Sequence, residues 1–101
     1  MTAREYLENY QKKQGYGIEA AGILETLRDA EEVYNETVNA HRWWDDVFVV
    51  VSIDGTLIGY MDGHATGDNS LRDLGWEFDP ASICYVEEKE VTTKIYVTKP
   101  D

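Results

Sequence analysis

The chain has little of what disulfide frameworks and charged interfaces with nucleic acid are built from. It carries one cysteine, Cys84, which excludes an internal disulfide and fits a reducing compartment. It carries two histidines and nine Lys and Arg against twenty Asp and Glu, for a net charge of −11. That balance argues against nucleic acid or an anionic membrane as a direct ligand, because phosphate would be repelled at long range. No apolar run approaches the roughly 18 residues of a membrane span. The opening MTAREYLENYQKKQ lacks the apolar centre of a secretory leader, so a cytoplasmic location is expected. Asn35-Glu36-Thr37 matches a glycosylation acceptor but is discounted in such a chain. Gly55, Gly59, Gly63 and Gly67 fall four apart and fit no nucleotide-binding loop. Ser52, Ser70 and Ser82 sit in no nucleophile elbow.

What is present is negative charge, unevenly placed. Residues 45–88 hold ten acids (Asp45, Asp46, Asp54, Asp62, Asp68, Asp73, Glu77, Asp79, Glu87, Glu88) and one base, Arg72, net −9. The first 44 residues are net −3 and the last 13 net +1. The acidic middle also contains the most apolar run, Val47 to Ile53, which a disordered acidic tail would lack. With 43% apolar residues, three Trp and seven Tyr, the 101 residues form one globular domain with a real core.

The expected fold class is α+β, with a helical region over 2–40 and a β-rich region over 44–99. Thr2 and Glu5 make a capping box for a short helix bearing Tyr6, Leu7 and Tyr10, and Gly15 stops it. From Ile18 to about Asn39, the residues Ile23, Leu27, Ala30, Tyr34 and Val38 recur at helical spacing. They predict one long amphipathic helix, with a break near Arg28–Asp29 as the alternative. Gly22 inside it costs about 1 kcal/mol relative to alanine.

The strongest local pattern is a β-hairpin. Val47, Val49, Val51 and Ile53 alternate with Phe48, Val50 and Ser52, and Asp54-Gly55 is type I′ turn chemistry. The turn sets a register: Ile53 faces Thr56, Val51 faces Ile58, Val49 faces Tyr60, with Ser52–Leu57 and Phe48–Met61 on the other side. Both faces are apolar near the middle, so the hairpin is central. Residues 63–82 read as a long loop anchored by Leu71, Leu74, Trp76 and Phe78. Ile83–Val86 and Val91–Thr98 read as two further strands, or one long bent strand, completing an antiparallel sheet of about four strands.

Several constellations carry chemistry on paper. Counting Asp62 as position 1 of a calcium loop puts Gly67 at position 6 and Asp73 at position 12. His64 and Thr66 then stand where Asp or Asn is wanted, and a polar turn is the plainer reading. His41, His64 and Cys84 have no zinc-motif spacing. Cys84 lies in the apolar run Ile83–Val86 with acids nearby, which disfavours a thiolate. Asp45-Asp46 and Glu87-Glu88 are paired in sequence, but neighbours on a strand point to opposite faces, so neither is a dyad. No catalytic residue, metal or cofactor is assigned. Arg42-Trp43-Trp44-Asp45-Asp46 combines residue types favoured in interfaces. Two adjacent tryptophans on a strand cannot both point inward, so one is expected over the end of the long helix and the other partly exposed; the plainer reading is that both cap the core from the edges.

The charge supports a bolder reading. A domain of this size spans roughly 30 Å, over which B-DNA displays roughly 18 phosphates. The nine net charges of residues 45–88 are comparable to the phosphates that a DNA-binding protein engages. In size, acidity and lack of catalytic machinery the chain resembles the small phage proteins that inhibit host defence enzymes, such as anti-restriction and anti-CRISPR proteins. The resemblance implies blockade rather than catalysis and rests on no aligned segment. The leading expectation is therefore a non-catalytic inhibitor or adaptor whose DNA-mimicking surface engages a basic, nucleic-acid-binding protein. Its partner-binding residues would be Trp44, Asp45, Asp46, Asp62, Asp68, Asp73, Trp76, Asp79, Glu87 and Glu88. A second reading is a homo-oligomer, such as a homodimer, joined through the last strand or through Tyr6 and Tyr10, with the acids serving solubility. A third is a small metal-dependent binder or enzyme around Asp62 and His64.

Overall fold

Thr2 opens the first element. Its hydroxyl accepts the Glu5 N–H at 3.1 Å, capping α1 (Ala3–Gln14), and Gly15 closes the helix at φ 76°, where a side chain would be strained. A computed structural model describes residues 1–67, 70–89, 97 and 99. A second helix, α2 (Ala20–Asp29), buries Ile23, Leu24 and Leu27. The chain then leaves helical geometry at Ala30 (φ −73°, ψ 163°) and enters β1 (Glu31–Ala40).

The long helix expected from Ile18 to about Asn39 is thus corrected, and with it the helical region to residue 40. Helix ends at Asp29, and residues 31–40 are strand. Val33, Thr37 and Val38 are β-branched and Tyr34 is aromatic, so they lose rotamer freedom on a helix and suit a pleated surface. Main-chain pairing with the next strand completes the preference.

That strand is β2 (Trp44–Ile53), followed by β3 (Thr56–Ala65) and the two-residue β4 (Cys84–Tyr85). Among the described residues the sheet is antiparallel in the order β1-β2-β3-β4, so the hairpin is central and β1 and β4 are the edges. Asp54 (φ 51°) and Gly55 (φ 79°) both take positive φ, as a type I′ turn demands. The β2–β3 register is the expected one, from Ile53 opposite Thr56 through Val49 opposite Tyr60. The expected strand Ile83–Val86 shortens to Cys84–Tyr85. The strand expected at 91–98 lies outside the described residues apart from Val97.

One face of the sheet is the core. Val49, Val51, Ile53, Ile58 and Tyr60 pack against Leu7, Ile23, Leu24 and Leu27. Burying side chains of this size contributes about 1.5–3 kcal/mol each before entropy is counted. The Tyr6 hydroxyl donates to the Ile53 carbonyl at 2.8 Å and ties α1 to the hairpin. Gln11, the one buried polar residue among those described, donates to the Gly17 carbonyl at 2.8 Å and to the Gly22 carbonyl at 3.3 Å. Its own carbonyl accepts from the Thr26 hydroxyl at 2.6 Å, so the two helices share a satisfied polar knot. Phe78 meets Tyr60 edge-on with ring centroids 6.4 Å apart, and Trp76 also packs on the core, so these two residues anchor the loop after β3. The helices cover the part of this face nearest the Asp54–Gly55 turn. The far end of the sheet carries the polar residues described next.

Candidate functional site

Pairing decides what the far end presents. Asp45 stands opposite His64 and Asp46 opposite Gly63, and the two aspartates alternate across the sheet. Asp45 shares the face of Val47, Val49 and Asp62. Asp46 shares the other face with Trp44, whose indole N–H donates to it at 3.2 Å. His41 Nε2 lies 2.7 Å from the second Asp46 oxygen, and its ring stacks on Trp44 at 4.5 Å. Arg42 sits over the Trp43 ring at 4.8 Å. The two tryptophans therefore close the β1–β2 connection, with Trp43 exposed and Trp44 half-buried on His41. Neither covers the end of a long helix, because none reaches there.

On the Asp45 face a shallow groove of about 350 Å³ opens between the three long strands. Glu32, Asn35 and Thr37 of β1, Asp45 of β2, and Asp62 and His64 of β3 line it. Asp62 is already engaged. Arg28 Nε donates to it at 3.0 Å and Arg28 Nη2 at 2.7 Å, a bidentate clamp joining the last turn of α2 to β3. The hydrogen bond to Asp62 raises the Arg28 pKa, outweighing partial burial, so the guanidinium stays charged. Its other flank faces Trp76 at 5.8 Å, and the Trp76 indole fills the space that a Cβ at Gly63 would occupy.

The remaining acids do not join this groove. Asp73 is exposed in a turn, where its N–H donates to Ser70 Oγ at 3.3 Å. Asp79 caps a short 3₁₀ turn, Pro80–Ser82, accepting the Ala81 N–H at 2.9 Å. Glu87 and Glu88 are exposed just beyond β4, at the opposite edge of the sheet from β1. Asp68 lies outside the described residues. The structure thus brings Asp45 and Asp62 together, turns Asp46 away, and distributes Asp73, Asp79, Glu87 and Glu88 elsewhere. Trp76 serves as a core-side anchor rather than an exposed one.

Three acids absent from the expected set lie on a fully exposed strand. All ten residues of β1 are exposed, and they include Glu31, Glu32 and Glu36 with no base. Reading this segment as helix hid them. Its density of β-branched and aromatic residues was the signal that could have found it.

The chemistry offered is charge and hydrogen bonding. Among the described residues no three His, Cys, Asp or Glu side chains are grouped to hold a metal ion. Asp62, first position of the calcium-loop reading, gives both oxygens to Arg28. Cys84 is exposed on β4, its Sγ 3.7 Å from the Gly59 carbonyl. Among the described residues no helix is long and apolar enough to cross a membrane. Comparison with protein-family models, with curated proteins and with solved structures finds no match to this chain.

Proposed function

We propose that the chain is a non-catalytic binding protein, an inhibitor or adaptor, that engages a basic and nucleic-acid-binding protein. The single observation that carries this reading is β1: an edge strand exposed along its whole length, with three glutamates and no base. Asp45 extends the negative surface across the adjoining groove, where the charge of Asp62 is already met by Arg28. A chain of net charge −11 steers cationic partners toward itself at long range, and that steering weakens as salt shortens the Debye length from about 10 Å at 0.1 M to about 3 Å at 1 M. The surface in play is therefore smaller than the whole acidic middle of the chain. It combines β1 with the open end of the β2–β3 hairpin, away from the Asp54–Gly55 turn.

The test is affinity capture from lysate at low and high salt, with mass spectrometry of the retained proteins. Retention of basic nucleic-acid-binding proteins at low salt, released at high salt, supports the reading. A retained set indifferent to salt, or without a basic bias, contradicts it.

Homo-oligomerisation is favoured by a different observation on the same edge. Val33, Tyr34 and Val38 of β1 and Trp43 beside it are exposed apolar groups. Solution mass decides: a stable dimer with these residues protected supports this second reading, and a monomer at high concentration removes it.

A further inference from the structure

We infer that β1 binds its partner by strand addition, accepting an extended basic segment of the partner protein as a fifth strand of the sheet. This rests on the reading above and gives it a mode of contact. An edge strand presents unpaired main-chain N–H and C=O groups, which an extended segment can pair while its side chains select by charge.

β1 has the attributes required. It is ten residues long, its inner side is paired to β2 except at Val33 and Val38, and no described residue covers its outer side. Register shifts on either side of Val33 and of Val38 mark two bulges. Between them Tyr34, Asn35, Glu36 and Thr37 run opposite Val50, Val49, Phe48 and Val47 without interruption. These four residues form the regular part of the free edge, and pairing is centred on them. The bulges prevent a longer match, which keeps the contact short and dependent on charge.

The side chains specify the occupant. Glu32 lies on the groove face with Asn35 and Thr37, and Glu31, Tyr34 and Glu36 lie on the other. The Tyr34 hydroxyl donates to the Glu36 carboxylate and holds it along the strand. An added strand with lysine or arginine on alternate positions would meet Glu32 and Asp45 from one face, or Glu31 and Glu36 from the other. A second copy of this chain is the poorer occupant. Self-pairing would line one seam with three glutamates from each copy and no base, and like charges across a ladder are destabilising.

The experiment uses the whole protein and two ten-residue peptides of alternating lysine and valine, one unmodified and one N-methylated at every residue, so that both edges of the strand lose their donors. Both carry the same charge, but the second has lost the donors a ladder needs. Binding is read at low salt by calorimetry, and amide hydrogen exchange is read along β1. Strand addition predicts that the unmodified peptide slows exchange of outward-facing amides within Tyr34–Thr37. It also predicts that N-methylation weakens binding about tenfold or more, since each main-chain hydrogen bond contributes a factor of several. Equal binding of both peptides with no protection at 34–37 overturns strand addition and leaves the charge-based reading standing. Failure of both peptides to bind also overturns it, and the lysate capture then bears alone on the wider reading. Protection of β1 without peptide, with a doubled solution mass, overturns it in favour of a second copy.

Discussion

Replacing Arg28 by methionine tests how the acidic groove is held to the helices. Methionine keeps an apolar stem against Trp76 and removes both hydrogen bonds to Asp62. The two partners are unequally buried: the Arg28 side chain is 43% exposed and that of Asp62 14%. A hydrogen bond to a charged group contributes about 1.5–3 kcal/mol when buried. Solvent screening at the arginine end reduces the pair to about 1–2 kcal/mol in total. Arg28→Met then lowers Tm by about 5–15 °C, using about 4–8 °C per kcal/mol for a domain near this size. Asp62→Asn costs less, because the guanidinium left behind reaches water and the amide oxygen still accepts one bond. Thermal and urea unfolding of both single variants and the double variant measure the asymmetry and the coupling, expected near 1 kcal/mol. The basic peptide supplies an independent readout. Arg28→Met adds one uncompensated negative charge to the groove, so binding of the lysine-valine peptide strengthens although the fold weakens. An Arg28→Met variant as stable as the parent, or an Asp62→Asn variant less stable than Arg28→Met, would refute the reasoning.

Three further outcomes follow from the packing. Gln11→Leu strands the Gly17 carbonyl and the Thr26 hydroxyl and takes the second donor from the Gly22 carbonyl, and costs about 2 kcal/mol by urea unfolding; a neutral effect would show that water satisfies these groups. Gly63→Ala places a Cβ 2.7 Å from the Trp76 indole nitrogen and forces that ring aside. It costs about 1–3 kcal/mol and shifts tryptophan emission, and an unchanged spectrum would contradict the placement. Tyr60 is 2% exposed, and burial, reinforced by the Asp62 charge, pushes its pKa up to about 12. Its folded-state pKa lies above the unfolded value near 10, so the contribution is complete below about pH 10 and is lost as pH rises toward 12. The loss is about 2–3 kcal/mol. Tyr60→Phe removes that alkaline dependence, and an identical pH profile in the variant would contradict it.

The elements legible in the sequence were those whose pattern is local. Asp54-Gly55 between alternating valines set the β2–β3 hairpin and its register residue by residue, because turn geometry leaves no other phase once one face must be buried. Thr2 and Gly15 likewise bounded α1. β1 was misread for three physical reasons. As an exposed edge it has no buried face, so it carries no hydrophobic alternation to find. Its two bulges shift the phase of what alternation remains. Ala30, Tyr34 and Val38 fall four apart by composition and mimic a helical stripe, although no core lies beneath the last two. The candidate site inherited that error. Asp45 and Asp62 were found because they sit on the hairpin, whereas Glu31, Glu32 and Glu36 were hidden in the supposed helix. The separation of Asp46, Glu87 and Glu88 from the groove depends on strand order and sheet face, which charge distribution along the chain does not encode.

The position of charge, as opposed to its amount, is best tested by two triple variants of equal net charge. One carries Glu31→Lys, Glu32→Lys and Glu36→Lys on β1, and the other carries Asp73→Lys, Glu87→Lys and Glu88→Lys far from it. Each is titrated with the lysine-valine peptide at low salt. Binding lost in the β1 variant and largely kept in the distal variant is the predicted result; equal losses in both would mean that net charge alone attracts the peptide and that the edge strand has no special part in it.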